Sequence, residues 1–405
     1  MSRNCTRRRL IAAGALATTS SLAGCAIGWS DGETADQTDA PNAVPDLPRV
    51  DDPPDAVYIP THREAMVHLP TVEAGEYLLS PMLTYPHPFW LVTGTEREEV
   101  VPSDSRGVHL MVTVSDAETG QVLPSDTGST MRVLRDGDLI DQRTPWPMIS
   151  QTMGFHFGDN VSLPEDGMYT VEIDLNPIQI RKTGDFEGRF EASVTAEFEF
   201  EYDEAFREEV IAGVEYLDEE YWGRRGALEP PNHGDHGGNG GDHGDHGDDD
   251  HHDHETGDHH DHSDDGHHDH ADDDHHMPFS SLPSAETYPG FDLGEHESDD
   301  ARFVVRYLEE THLTPDGQGY LLVSPRTPYN RVPLADMALS VEGAITGELE
   351  QTLDSELGLH YGIATDTFPD GGIELIVESP PQVSRHTGYE TAFLDMSSMS
   401  VEPPE

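Results

Sequence analysis

The stretch MGFHFGDNV at 153–161 returns as LGLHYGIAT at 357–365, and each places a histidine, His156 or His360, between two bulky apolar residues ahead of a glycine. A neutral imidazole there can hold a metal through one ring nitrogen. Buried, it can equally pack in a core with its N–H on a backbone carbonyl. The neighbouring residue types bear on the choice. His109 and Met111, in VHLMV, stand two apart on a predicted strand and so leave the same face. Met148 precedes His156 by eight residues, with Met153 between them. Thioether and imidazole together make a soft-to-intermediate donor set suited to copper, whereas hard ions prefer oxygen alone. The same methionines also suit irregular core space, so residue types leave ligand and packing roles both open.

The elements that must position these residues are short strands. From Val57 to about Tyr202, runs such as EYLLSPMLTY, GVHLMVTVSD, MYTVEIDL and FEASVTAEFEFEY alternate apolar with polar residues, separated by turn signals such as DAETGQ, RDGD and PEDG. That spacing predicts an antiparallel β-sandwich. Phe206, Val210, Val214, Leu217 and Tyr221 recur at helical spacing over 203–222 and predict one amphipathic helix closing a first domain, 57–228. Strands suggested by RFVVRYL, GYLLVS, ADMALSVEG and GIELIVES predict a second domain, 297–405. The similarity between halves extends past the histidine stretch: NPIQIRKTGDFEGRF (176–190) aligns with SPPQVSRHTGYETAF (379–393). Two shared blocks in the same order indicate two copies of one sandwich. The fold class expected is all-β, two immunoglobulin-like antiparallel β-sandwiches joined by a disordered His/Asp-rich linker.

That linker, 229–296, contains a run at 231–276 with fifteen histidines: His233, His236, His243, His246, His251, His252, His254, His259, His260, His262, His267, His268, His270, His275 and His276. They alternate with Asp and Gly, and no apolar residue lies between Asn232 and Ala271. Such a segment buries too little to offset chain entropy and is expected to be disordered. Solvation alone would be served by Asp, so the histidines point to loose, exchangeable binding of zinc, copper or nickel.

At these motifs the sequence resembles the small periplasmic copper- and iron-binding β-sandwich proteins that accompany bacterial iron-transport permeases. The family pattern has His-Leu-Glu on a strand, a Met shortly before His-Tyr-Gly-x-Asn, then a late Arg-His with Thr-Gly. Here His109 fits and Met111 stands where the family has Glu; Met148, His156, Gly158 and Asn160 fit the second block. The late pair reads Arg181-Lys182 in the first copy, which has thus lost a histidine, and Arg385-His386 in the second. The second copy keeps His360 and His386 but has Thr352 and Leu357 where the methionines would be. The resemblance implies a metal set of His109, Met111, Met148 and His156 in the first copy, with Met153, His360 and His386 as weaker candidates. The second copy is a degenerate one. The implied role is capture of copper or iron outside the cell and presentation to a permease or other metal-handling protein.

Residues 1–25 read as an address. Arg7, Arg8 and Arg9 precede an apolar stretch, and Leu22-Ala23-Gly24-Cys25 resembles a lipobox. A twin-arginine lipoprotein signal is expected, with Cys25 carrying the lipid at the outer face of the cytoplasmic membrane and 26–56 as a disordered tether. The only other cysteine, Cys5, leaves with the signal, so the mature chain has no disulfide and no thiolate metal site.

Net charge is −58; removing the 16 acidic residues of the linker run leaves 22 basic against 64 acidic residues, still −42. A surface this acidic is tolerable where salt screens it, which indicates a haloarchaeal-type lipoprotein and excludes nucleic acid as a partner. No Ser-His-Asp spacing, phosphate loop or hydride-cofactor fingerprint occurs, so no enzymatic activity is expected. The competing expectation is a cell-surface interaction lipoprotein whose sandwiches no longer bind metal, with the linker as a loose metal buffer.

Overall fold

The alternation seen in the sequence becomes a division between two faces of each strand. In Gly107–Asp116, Leu110, Val112 and Val114 enter the main apolar core, while His109, Met111 and Thr113 leave on the other side. That other side is as completely buried as the core. The same holds for Gly154–Ser162, where Phe155, Phe157 and Val161 pack inward and His156 faces away, also fully buried. Polar, histidine and methionine side chains thus occupy a second, enclosed layer.

In this computed structural model, residues 47–102, 106–230, 278–315, 317–366 and 368–403 are described. The fold is all-β. In the first copy a nine-stranded sheet runs Val67–His68, Tyr77–Thr84, Gly107–Asp116, Gly154–Ser162, Trp146–Ser150, Ser384–Arg385, Phe89–Thr93 and Glu96–Val100, with Val72–Ala74 also on Tyr77–Thr84. A four-stranded sheet, Val194–Tyr202, Gly167–Leu175, Thr130–Arg135 and Asp138–Arg143, supplies the other inner face. The second copy forms a nine-stranded sheet: Phe291–Ser298, Ala301–Leu308, Gly319–Arg326, Gly358–Thr365, Gly347–Asp354, Ala338–Gly343, Ile373–Ser379 and Met399–Val401, plus Arg181–Thr183 beside Gly347–Asp354.

Two of these strands have changed places. Ser384–Arg385, from the second copy, pairs in parallel with Trp146–Ser150 of the first, aligning Ser384 with Met148 and Arg385 with Ile149. Reciprocally, Arg181–Thr183 pairs with Gly347–Asp354, aligning Arg181 with Thr352 and Lys182 with Leu353. Each copy therefore completes the other's sheet. Both crossing segments end on a fully buried phenylalanine held at positive φ, Phe190 (58°) and Phe393 (62°).

Three expectations are corrected at their edges. Residues 47–56, assigned to the tether, are part of the fold: Arg49 pairs with Glu99, Thr61 donates to the Pro48 carbonyl, and Ala56 is buried. Residues 278–296, assigned to the linker, are likewise built in. Ser280 accepts from the Phe155 N–H, Tyr288 is buried, and Phe291–Ser298 is a strand. The helix covers only Glu204–Ala212, burying Phe206 and Val210, with the Asp203 carboxylate accepting the Phe206 N–H at its start. It is capped by Gly213, which passes so close to Ala65 that a Cβ would stand 2.7 Å away; beyond it Glu215–Tyr216 pairs with His62–Arg63. Cys25 and the fifteen linker histidines lie outside the described residues. Among the described residues no helix is long and apolar enough to cross a membrane.

Candidate metal centre

Four histidines meet in the enclosed layer of the first copy. His109 comes from Gly107–Asp116 and His156 from Gly154–Ser162, two adjacent strands. His87 stands in the turn Tyr85-Pro86-His87-Pro88 that links Tyr77–Thr84 to Phe89–Thr93. His386 follows directly on the exchanged strand, its N–H bonded to the Ile149 carbonyl. Ring centroids of His87 and His109 lie 4.2 Å apart, of His87 and His386 5.1 Å, of His109 and His386 5.3 Å, and of His156 and His386 5.0 Å. One ring nitrogen from each of His87, His109 and His386 falls within 4.8 Å of the others, the only such grouping of histidine, cysteine or carboxylate side chains among the described residues.

The hydrogen bonds around this group leave nitrogens bare. His109 Nδ1 lies 3.0 Å from Asn160 Oδ1 and His87 Nδ1 3.1 Å from the Pro88 carbonyl. Both partners are acceptors, so each Nδ1 carries the proton and each Nε2 presents a lone pair. His156 Nδ1 is 3.2 Å from the Gly154 carbonyl, and its Nε2 is 3.1 Å from His386 Nε2. The buried His87 Nε2, His109 Nε2 and His386 Nδ1 have no hydrogen-bond partner. Leaving buried polar atoms unsatisfied is costly, and a bound metal ion would supply a partner for such lone pairs. Burial holds the pKa of His109 and His386 well below the ordinary imidazole value and pushes that of His156 down to about 4, so these rings stay neutral and available.

Asn160 ties the His109 ring to the His87 backbone. Its Oδ1 also accepts the His87 N–H, and its Nδ2 donates to the His87 carbonyl. Gly158 is required beside them: a Cβ there would stand 3.2 Å from His109 Nε2 and 3.3 Å from Met111 Cγ. The Glu64 carboxylate is 3.7 Å from His87 Nδ1. A small cleft lined by Pro60, His62, Glu64, Ser150, Gln151 and His386 borders one member of the group.

The residues expected from sequence are distributed as follows. His109 and His156 are in the group. Met148 is directly opposite His156 in register, so the two leave the same face, and it is fully buried yet outside the apolar clusters. Met111 and Met153 pack instead with Met82 and Met66. His360 lies in the second copy, its Nδ1 3.1 Å from the Gly358 carbonyl and its Nε2 3.4 Å from Tyr320 Oη. His386, grouped by sequence with His360, belongs to the first copy's site because of the strand exchange. The exchange also corrects the reading of Lys182 as the lost histidine. In register Lys182 matches Arg385 and Thr183 matches His386, and Lys182 bonds the Ile178 carbonyl. His87 was missed. Its signal was a histidine clamped between prolines at a strand end, where the backbone is already fixed.

Residues 286–402 match a family model described as a domain of unknown function (DUF7350). No curated protein matches the chain. Among solved structures, the chain is similar to a copper-bound variant of FetP from uropathogenic Escherichia coli strain F11. The identity is 21%, the match covers 34% of this chain and 97% of that one, and the TM-score is 0.28. FetP of the same strain, as isolated, is 18% identical over 34% of this chain and 96% of that one, with a TM-score of 0.26. Likeness at this level carries no functional argument, which rests on the site.

Proposed function

We propose that the chain is an extracytoplasmic, non-enzymatic copper-binding protein. His87, His109 and His386 hold the ion, His156 orients His386 or joins the set, and Met148 faces them. The observation that carries this reading is the grouping of three buried histidines, one ring nitrogen of each within 4.8 Å of the others, each ring also having a nitrogen without a hydrogen-bond partner. Imidazole alone suits zinc, copper, iron or nickel; a thioether on the same face favours copper. With the lipoprotein-type address, the role that fits is capture outside the cell and delivery to a membrane-bound metal-handling partner. The linker histidines would act as a weaker reservoir. Cupric titration of the full-length protein against a chelator strong enough to strip exposed imidazoles tests it. One retained equivalent with nitrogen couplings in its electron paramagnetic resonance spectrum, lost in His109→Ala, is expected. Retention of that equivalent in His109→Ala would refute the assignment.

A further inference from the structure

Beside the histidines lies a cluster made of nothing but methionine. Met82, Met111 and Met153 are buried against one another, with partly buried Met66 packed on them, apart from the main core. Methionine often fills irregular space, and the second copy provides an internal test of whether this space requires it. Met82 pairs with Met111 across two strands as Arg306 pairs with Leu322, and Met153 precedes Gly154 as Leu357 precedes Gly358. The matching positions thus carry Arg306, Leu322 and Leu357. There the two leucines pack in a cluster of Val304, Leu308, Leu313, Tyr288 and Tyr320, and Arg306 reaches the Ala285 carbonyl. The fold accepts leucine and even a guanidinium at these places, so packing does not explain a set of thioethers.

We propose that Met66, Met82, Met111 and Met153 form a second metal site, for a cuprous ion, next to the histidine cluster. Thioethers are soft neutral donors that select cuprous copper over harder ions. They have no proton to lose, so binding needs no deprotonation. The two sites adjoin at Gly158, above which both Met111 Cγ and His109 Nε2 sit. Met66, at the edge of the cluster and only partly buried, is where an ion would enter. The proposal goes beyond the cupric reading of the histidines and does not depend on it.

The test uses full-length protein carrying methyl-labelled methionine, titrated with silver ion as a redox-inert probe and with cuprous ion against a chromophoric chelator. The methyl signals of Met66, Met82, Met111 and Met153 should shift together while Met168 and Met337 stay in place. The triple variant Met82→Leu, Met111→Leu, Met153→Leu should lose one cuprous equivalent and keep its cupric one. In His109→Ala the methyl shifts should persist, which separates this site from the histidine site. Unmoved methyl signals in the unaltered protein, or an unchanged cuprous count in the folded triple variant, would overturn the proposal. Shifting methyls in a protein that holds no cupric ion would support this site and remove the other.

Discussion

The two copies share a backbone plan and differ in what fills the enclosed layer. His156 and His360 make the same bond, Nδ1 to the carbonyl of the glycine two residues before. A neighbouring side chain lies over both Gly158 and Gly362, His109 closely in one copy and the Tyr320 ring, leaving no room for a Cβ, in the other. The repeated motif is therefore structural first. What differs is the surrounding set: His109, Met148 and His386 in the first copy stand where the second has Tyr320, Thr352 and Thr183. In the second copy Thr183 donates to Asp354, which also accepts from His312, and Tyr320 meets His360. Those polar atoms satisfy one another, whereas those of the first copy are left waiting. A shared motif marks a shared fold, and the unsatisfied atoms around it mark a site.

The strongest way to break this contrast is to remove His386. His386→Ala should weaken cupric binding by more than the roughly 10–100-fold that loss of an outer-shell partner costs, measured by chelator competition. His360→Ala should leave the affinity unchanged. Equal effects of the two substitutions would erase the distinction between copies. The converse experiment installs the missing rings: Tyr320→His with Thr183→His, in the His386→Ala background, should restore one cupric equivalent, now in the second copy beside His360. Asn160→Ala should reduce cupric affinity by about 10–100-fold, as expected when the group that orients the His109 ring and holds the His87 backbone is lost. An unchanged constant would show that the prolines alone fix His87.

Acid should act on both copies when no metal is present, and more on the first, whose site holds three of the four histidines concerned. Burial pushes His156 and His360 down to about 4, and holds His109 and His386 lower than the ordinary value as well. The unfolded chain takes up protons from about pH 6.5 downward while the folded chain does not. Stability is therefore complete above that range and falls as pH drops toward 4, by up to ~1.4 kcal/mol per pH unit for each such histidine. Denaturant midpoints measured between pH 7 and 4.5 should show the decline, and His360→Gln should make it shallower.

The smallest effect sharpens the glycine comparison. In Gly362→Ala the new Cβ would lie 2.3–2.4 Å from Tyr320 ring atoms, against 3.2 Å from His109 Nε2 in Gly158→Ala. The first should cost about 1–3 kcal/mol as overpacking and the second less, with a changed cupric spectrum instead. Thermal melts and spectra of the two variants decide it.

Much of the molecule was legible beforehand. Alternation at period two gave the strands, and the repeated blocks gave the two copies, because burial on a pleated sheet is written directly into residue order. His109 and His156 could be singled out because each sits on a strand with its motif around it. The helix was overextended because its apolar spacing continued past Gly213, whose close approach to Ala65 involves a loop about 150 residues earlier.

By itself, the sequence determined the all-β class, the repeated motif, the acidity, the absence of thiolate chemistry in the described fold, and three of the four histidines, with His386 assigned to the wrong site. Tertiary structure alone decided which histidines meet. His386 reaches His156 across 230 positions only because the copies exchange strands, and a parallel pairing between distant segments leaves no local periodicity to read. His87 joins them because its turn folds over the same face, held by Asn160 from a strand far along the chain. The separation of histidines from methionines was decided in the same way. Both project from one strand face, and which neighbours each finds depends on what the adjoining strands and the other copy bring beside them.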